Sequence, residues 1–241
     1  MAKKSSKKKT TRKKAARRKS EPKLVKAPEP ERRRAARIYK KLEAKYPDAH
    51  CALIHSNPFE LLVATILSAQ CTDNLVNQVT PGIFKKLPTP QLMAKADLAT
   101  IEALVNRVNF WRNKAKNLRG MAQRLVEEHD GLVPQTMEEL IQLPGAARKT
   151  ANVVLGNAFN INHGVVVDTH VGRIAKRMGF TQHDDPKKIE RDLMALFPRK
   201  NWTMLSHLLI YHGRAACKAR HALCCDDDLC KRYCSNAKLI G

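Results

Sequence analysis

Apolar positions recur at helical spacing along most of the chain, and nowhere do they alternate for long enough to make a strand. Ile38, Leu42 and Tyr46 predict a helix from Glu31 to about Ala52. Asn57-Pro58 reads as a cap and first helical residue. The segment it opens, Phe59–Leu67, is apolar on most faces, which predicts a central, buried helix. That helix closes in a polar run from Ser68 to Asp73. Residues 74–130 carry three or four amphipathic helices, broken at Pro81-Gly82, at Leu87–Pro90 and at Asp130-Gly131. Met137, Leu140, Ile141 and Leu143 mark a short helix that stops at Pro144-Gly145, and another begins almost at once with Lys149 in its first turns. Val171–Met178, Pro186–Leu196 and Trp202–His212 complete the series. Val165–Val167 is too short to count as a strand, so the fold class is all-α.

Length and charge then narrow the function. With 241 residues, 43% of them hydrophobic, the chain can bury one large core or two smaller ones. Its formal net charge of +23, from 45 Lys+Arg against 22 Asp+Glu, favours a polyanionic partner, nucleic acid before an anionic membrane. No apolar stretch is long enough to span a bilayer. No hydrophobic signal region follows the basic start, so the expectation is a chain that is not secreted. Residues 1–30 hold thirteen Lys and Arg, two Glu and little to bury, which predicts a disordered basic tail. Such a tail would tether DNA by releasing counterions, or serve as a solubilising or targeting extension. Without it the remainder still carries +12, so the folded part is basic in its own right.

Three places carry candidate chemistry. At the hairpin, a helix starting just after a Pro-Gly turn presents free backbone N–H groups and a positive dipole end, a site for a phosphate. The same pattern is also an ordinary packing element. Lys149 is then either one more phosphate contact or, if desolvated or near other cations, a nucleophile toward a sugar carbon. Asp168, just before Thr169-His170, is either a helix cap or a carboxylate that stabilises a developing positive charge. His170 reads as a hydrogen-bonded structural residue. Val108–Ala115 sets Phe110 and Trp111 beside Arg112 and Lys114, which suits core plus a solvated face, or insertion into DNA. Finally, five of seven cysteines lie within eighteen residues: Cys217, Cys224, Cys225, Cys230 and Cys234. Without an export signal they favour metal over disulfides, and their spacing alone does not separate zinc from an iron–sulfur cluster. Cys51 and Cys71 are expected to be plain buried thiols.

The stretch LPGAARKTANVVLGNAF, followed by VVDTHVGRIAKRMG, resembles the helix–hairpin–helix and Asp loop of the endonuclease III family of bifunctional DNA glycosylases. The likeness runs from about Asn57 to the C-terminal cysteines. It implies a two-lobed fold. Residues 53–164 would form a six-helix barrel lobe containing the hairpin (137–158), and residues 31–52 with 165–241 an iron–sulfur cluster lobe. Lys149 would be the nucleophile and Asp168 its carboxylate partner across a cleft. Gln70 would enter the DNA stack near the extruded nucleotide, and Phe110 would act as the wedge. Gly145 and Ala147 belong to the phosphate-binding hairpin. There the family usually has Leu-Pro-Gly-x-Gly, and Ala147 replaces the second glycine, losing glycine's easy access to φ > 0. The implied activity is excision of oxidised pyrimidines from double-stranded DNA and cleavage 3′ to the abasic site by β-elimination. A monomer is expected, in the cytoplasm or nucleoid of a bacterium or the nucleus of a eukaryote. An adenine-type glycosylase of the same superfamily, or a non-catalytic helix–hairpin–helix DNA-binding protein, would not need Lys149.

The family also implies a [4Fe–4S] cluster held by Cys-x6-Cys-x2-Cys-x5-Cys. Cys217 and Cys224 keep the first spacing, but the third position falls at Asp227. Cys217, Cys224, Cys230 and Cys234 give nearly the same span and are the expected ligands, with Cys230 and Cys234 on one face of a helical turn. Cys225 could replace one of them.

Overall fold

A computed structural model describes residues 24–220 and 226–234. Every regular element among them is helical. Helix α1 (Glu29–Lys45) opens after Pro28 and ends at Tyr46, whose φ of −127° and ψ of 64° leave the helical region. Pro47 is the cause, because its ring disfavours a helical residue before it. The helix therefore stops short of the Ala52 expected from periodicity. Its start also corrects the tail: Leu24 and Ala27 already pack on apolar side chains, and Ala27 N donates to Ala195 O at 3.1 Å. Residues 1–23 lie outside the described residues.

Helix α2 (Pro58–Leu67) is capped by Asn57, whose side chain accepts from Glu60 N at 3.0 Å, and buries Phe59 and Leu61–Leu67. Helix α3 (Asp73–Lys86) passes straight through Pro81, which does not break it. Val79 and Ile83, on either side of the proline, are both buried, and they share one stripe only if the helix continues. That burial outweighs the one backbone hydrogen bond that proline forfeits. The other two expected breaks do occur. Leu87–Thr89 separates α3 from α4 (Pro90–Lys95), and Asp97 caps α5 (Leu98–Val105). Helix α6 (Trp111–His129) ends where Asp130 and Gly131 turn left-handed, with φ of 54° and 77°. Then follow α7 (Met137–Leu140), α8 (Arg148–Ala158), α9 (Thr169–Arg177), α10 (Pro186–Leu196), α11 (Trp202–Ala215) and α12 (Asp228–Tyr233).

These helices pack around two cores. The first takes its buried residues from Leu53 to Leu155, on α2 to α8. The second combines α1 with Val165 and α9 to α12. Residues 159–168 carry the chain from one to the other, and polar bonds fasten them there. Val166 N donates to Ser206 Oγ at 3.0 Å, and Asn162 Oδ1 accepts from Thr203 N and Oγ1 at 2.9 and 2.7 Å. Arg148 on α8 pairs with Glu190 on α10 at 3.1 Å. No described helix is long and apolar enough to cross a membrane.

Candidate active site

The hairpin between α7 and α8 is built on Leu143, which is buried, and on Gly145, whose φ is 80°. A Cβ on Gly145 would lie 3.1 Å from both Asn117 Cβ and Ile66 Cγ2, so glycine is needed there for conformation and for space. Ala147 is different. Its φ of −86° and ψ of 172° are extended backbone open to any residue, so replacing the family's second glycine leaves this turn unstrained. Ala147 is also the N-cap of α8, and it offers no side-chain acceptor to the first-turn amides. An alanine cap thus leaves the positive end of the α8 dipole available to an anion. Lys149 is exposed in that first turn.

Between the two cores lies a cleft of about 560 Å³, and Lys149, Asp168 and Gln70 all line it. The fold thus brings together residues that are nineteen and seventy-nine positions apart. Asp168 does cap a helix: its Oδ1 accepts from Val171 N at 2.8 Å. Capping uses one oxygen, so it does not compete with a role in the cleft. His170 stands beside it, with Arg173 Nη2 at 3.1 Å from its Nδ1. Burial, with Arg173 and Arg214, holds His170 below the usual histidine range although Asp168 pulls the other way.

Periodicity missed the far wall. Thr203, His207, Ile210, Tyr211 and Arg214 of α11 line the cleft. Four of them, Thr203, His207, Tyr211 and Arg214, recur at three- and four-residue spacing, a polar stripe on an apolar helix that the sequence does display. His207 Nε2 lies 2.7 Å from Asn157 Oδ1, and burial, then His50, pushes its pKa down to about 4. Arg214, exposed at the mouth of the cleft, pairs with Asp73 at 2.6 Å. Cys51 and Cys71 are half-buried and also line the cleft, so they are not plain core thiols; burial raises the Cys51 pKa. Both also pack against the first core, at its edge on the cleft.

Gln70 and Phe110 both have left-handed backbones, with φ of 52° and 58°, and both are exposed. Phe110 leaves 62% of its surface open. Trp111 instead packs against the first core, with Arg112 stacked 4.1 Å from its ring centre. Lys114, read from the sequence as a solvated cation, is buried.

At the end of the second core, Cys217, Cys230 and Cys234 are all buried. Cys224 and Cys225 lie outside the described residues. Cys230 sits in α12, and Cys234 N donates to Cys230 O at 2.9 Å, so the two cysteines share a helical turn. A hydrogen bond from Cys230, then Arg177 at 3.2 Å from the sulfur, brings the Cys217 pKa down to about 6. Cys230 Sγ lies 3.3 Å from His212 Nε2. Asp227, at the family's third cysteine position, is committed elsewhere: it accepts from Cys230 N at 2.9 Å and pairs with Lys45. Three buried thiols, one of them stabilised as thiolate, fit a thiolate-bound metal group. His212 and Asp227 lie close enough to Cys230 to offer further ligand atoms.

The family model for the HhH-GPD superfamily of base excision DNA repair proteins matches residues 63–199. Endonuclease III of Synechocystis sp. is 54% identical over 193 residues, spanning 80% of this chain and 88% of that protein. Endonuclease III of Bacillus subtilis is 42% identical over 187 residues, spanning 77% and 85%. Among solved structures, a trapped endonuclease III–DNA covalent intermediate superimposes with a TM-score of 0.81 at 40% identity, covering 87% of this chain and 98% of that one. With its hairpin, its all-helical two-core fold and these relatives, the chain belongs to the endonuclease III family of the HhH-GPD superfamily.

Proposed function

We propose that this protein is a bifunctional DNA glycosylase and abasic-site lyase of base excision repair. The observation that carries the reading is the meeting of Lys149 and Asp168 in one cleft, in a chain similar to an endonuclease III caught covalently on DNA. A damaged base inside a duplex is out of reach of any side chain, so the nucleotide is first swung out into the cleft. Amides of the hairpin around Gly145 and Ala147 hold the backbone phosphate. Gln70 and Phe110 occupy the space the nucleotide leaves. The Lys149 amine attacks C1′ and the base departs with its bonding electrons. Asp168 stabilises the positive charge that builds on the sugar. The amine then gives up a proton and the C1′–O4′ bond opens with a proton passing to O4′, which leaves a protonated Schiff base that acidifies C2′. Loss of the C2′ proton sends its electron pair toward the iminium nitrogen, and the return of that pair forms the C2′=C3′ bond as the 3′ phosphate departs with the C3′–O pair, cutting the strand. Oxidised pyrimidines are the substrate class, and the protein acts as a monomer.

Cys217, Cys224, Cys230 and Cys234 would hold the [4Fe–4S] cluster. Bound there, the cluster supplies a rigid, charged anchor for the last helix and no step of the base removal.

The test is borohydride trapping on duplex DNA containing an abasic site. The wild-type chain should form a covalent adduct, and Lys149→Gln should form none while still binding the same duplex. Full trapping by Lys149→Gln would remove Lys149 from the reaction.

A further inference from the structure

Lys114 is 5% exposed, and its ammonium has no carboxylate partner among the described residues. It donates instead to Leu67 O at 2.8 Å, on the last residue of α2, and to Ala69 O at 2.7 Å, just past it. Five residues earlier, Asn109 Nδ2 donates to Gln70 O at 2.7 Å. Three carbonyl oxygens at the end of α2 and just after it, at residues 67, 69 and 70, are thus gripped by one segment, residues 109–114. That segment contains Phe110, whose carbonyl accepts from Lys114 N at 3.0 Å.

A buried ammonium is an expensive way to fill space. Methionine or leucine would occupy the same volume without desolvating a charge, and burial does lower the Lys114 pKa. What the lysine does, and an apolar side chain does not, is hold carbonyl oxygens at the negative end of α2. The two residues beside its grip, Gln70 and Phe110, both sit in left-handed conformations that non-glycine residues adopt only under constraint. Both side chains are exposed, Gln70 in the turn after α2 and Phe110 at the N-cap of α6.

We infer that Lys114 and Asn109 form a positioning pair that sets the spacing between Gln70 and Phe110, so that both can enter the duplex together. The pair touches no reacting atom and acts only through those two residues. The inference rests on the reading of Gln70 and Phe110 as the residues that fill the vacated space.

Duplex DNA has a space to fill, whereas a single strand with an abasic site has none. The ratio of single-turnover cleavage on these two substrates therefore isolates the pair's contribution from general damage to the fold. Lys114→Met and Asn109→Ala should each lower that duplex-to-single-strand ratio by roughly tenfold, the scale of one lost buried hydrogen-bonding partner. 2-Aminopurine placed opposite the abasic site should brighten on binding of the wild-type chain, and brighten less with either variant. Asn109 is exposed, so Asn109→Ala keeps the test decisive if Lys114→Met fails to fold. Gln70→Ala and Phe110→Ala are measured alongside. If these two lower the ratio and the positioning variants do not, the pair has no such role. If these two leave the ratio unchanged, the gap-filling reading itself falls.

Discussion

Asp168 shows how a single residue carries two duties that substitution can separate. It caps α9 through Oδ1, and it lines the cleft with Lys149. Asparagine caps a helix as well as aspartate but carries no charge. Asp168→Asn should therefore keep its melting temperature while base removal slows about a hundredfold or more, the scale of one lost electrostatic contributor. Asp168→Ala should lose the same activity and, in addition, about 1 kcal/mol of stability from the missing cap. Single-turnover rates and thermal melts on the two variants make the comparison. Near-wild-type rates in Asp168→Asn would reduce the residue to a cap. At this scale the sequence was half legible. Lys149 and Asp168 could be named from their neighbours; their spacing did not show that they share a cleft, and only the family resemblance implied it. The left-handed backbones at Gln70 and Phe110 were invisible, because apolar periodicity reports burial and is silent on torsion angles. Lys114 was misread for a related reason: a lysine among cations scores as solvated, and only the nearby C-terminal end of α2 explains why it is buried.

Among whole elements, α12 and the segment before it depart furthest from the family pattern. Asp227 stands where the third family cysteine would be and serves as the α12 N-cap, and the ligand set we propose therefore uses Cys230 and Cys234. Anaerobically purified protein should be brown, with broad absorbance at roughly 400 nm from iron–sulfur charge transfer. Cys225→Ser should keep its iron. Serine at Cys217, Cys224, Cys230 or Cys234 should lower iron content and soluble yield. A colourless protein with stoichiometric zinc would overturn the cluster, and iron loss confined to Cys225→Ser would overturn only the choice of ligands. Most helices were readable because their apolar stripes face a core. The exceptions are instructive. Pro81 was read as a breaker on its local cost alone, and tertiary burial of Val79 and Ile83 reversed the outcome. Pro47 was overlooked, so α1 was drawn too long.

Across the whole molecule, the two cores meet through polar contacts as well as apolar ones, and one of these makes the assembly sensitive to acid. His207 on α11 bonds to Asn157 on α8 and has its pKa pushed down to about 4 by burial and His50. An unfolded histidine titrates at about 6.5. Between those values the unfolded chain binds the extra proton, so stability is full above about pH 6.5 and is lost as pH falls toward 4. The full effect is roughly 3 kcal/mol. His207→Gln should flatten the fall in melting temperature between pH 7 and 4.5 (both roughly bracketing the shift), leaving the share that buried His212 contributes in the same direction. Parallel curves for the two proteins would show that His207 does not govern the response. A second property of this architecture concerns the order in which the chain emerges during synthesis. The first core closes within residues 53–155, whereas α1 finds its partners far downstream: Arg34 bonds to Met178 O and Tyr233 O, and Lys45 pairs with Asp227. A ribosome making the chain from its N-terminus therefore exposes the apolar stripe of α1, with Ile38 and Leu42, first and leaves it unmatched longest. The Lys149 hairpin can be in place on a finished domain before the Asp168 side of the cleft exists, and the nascent protein acquires its chemistry only in the last stretch of translation.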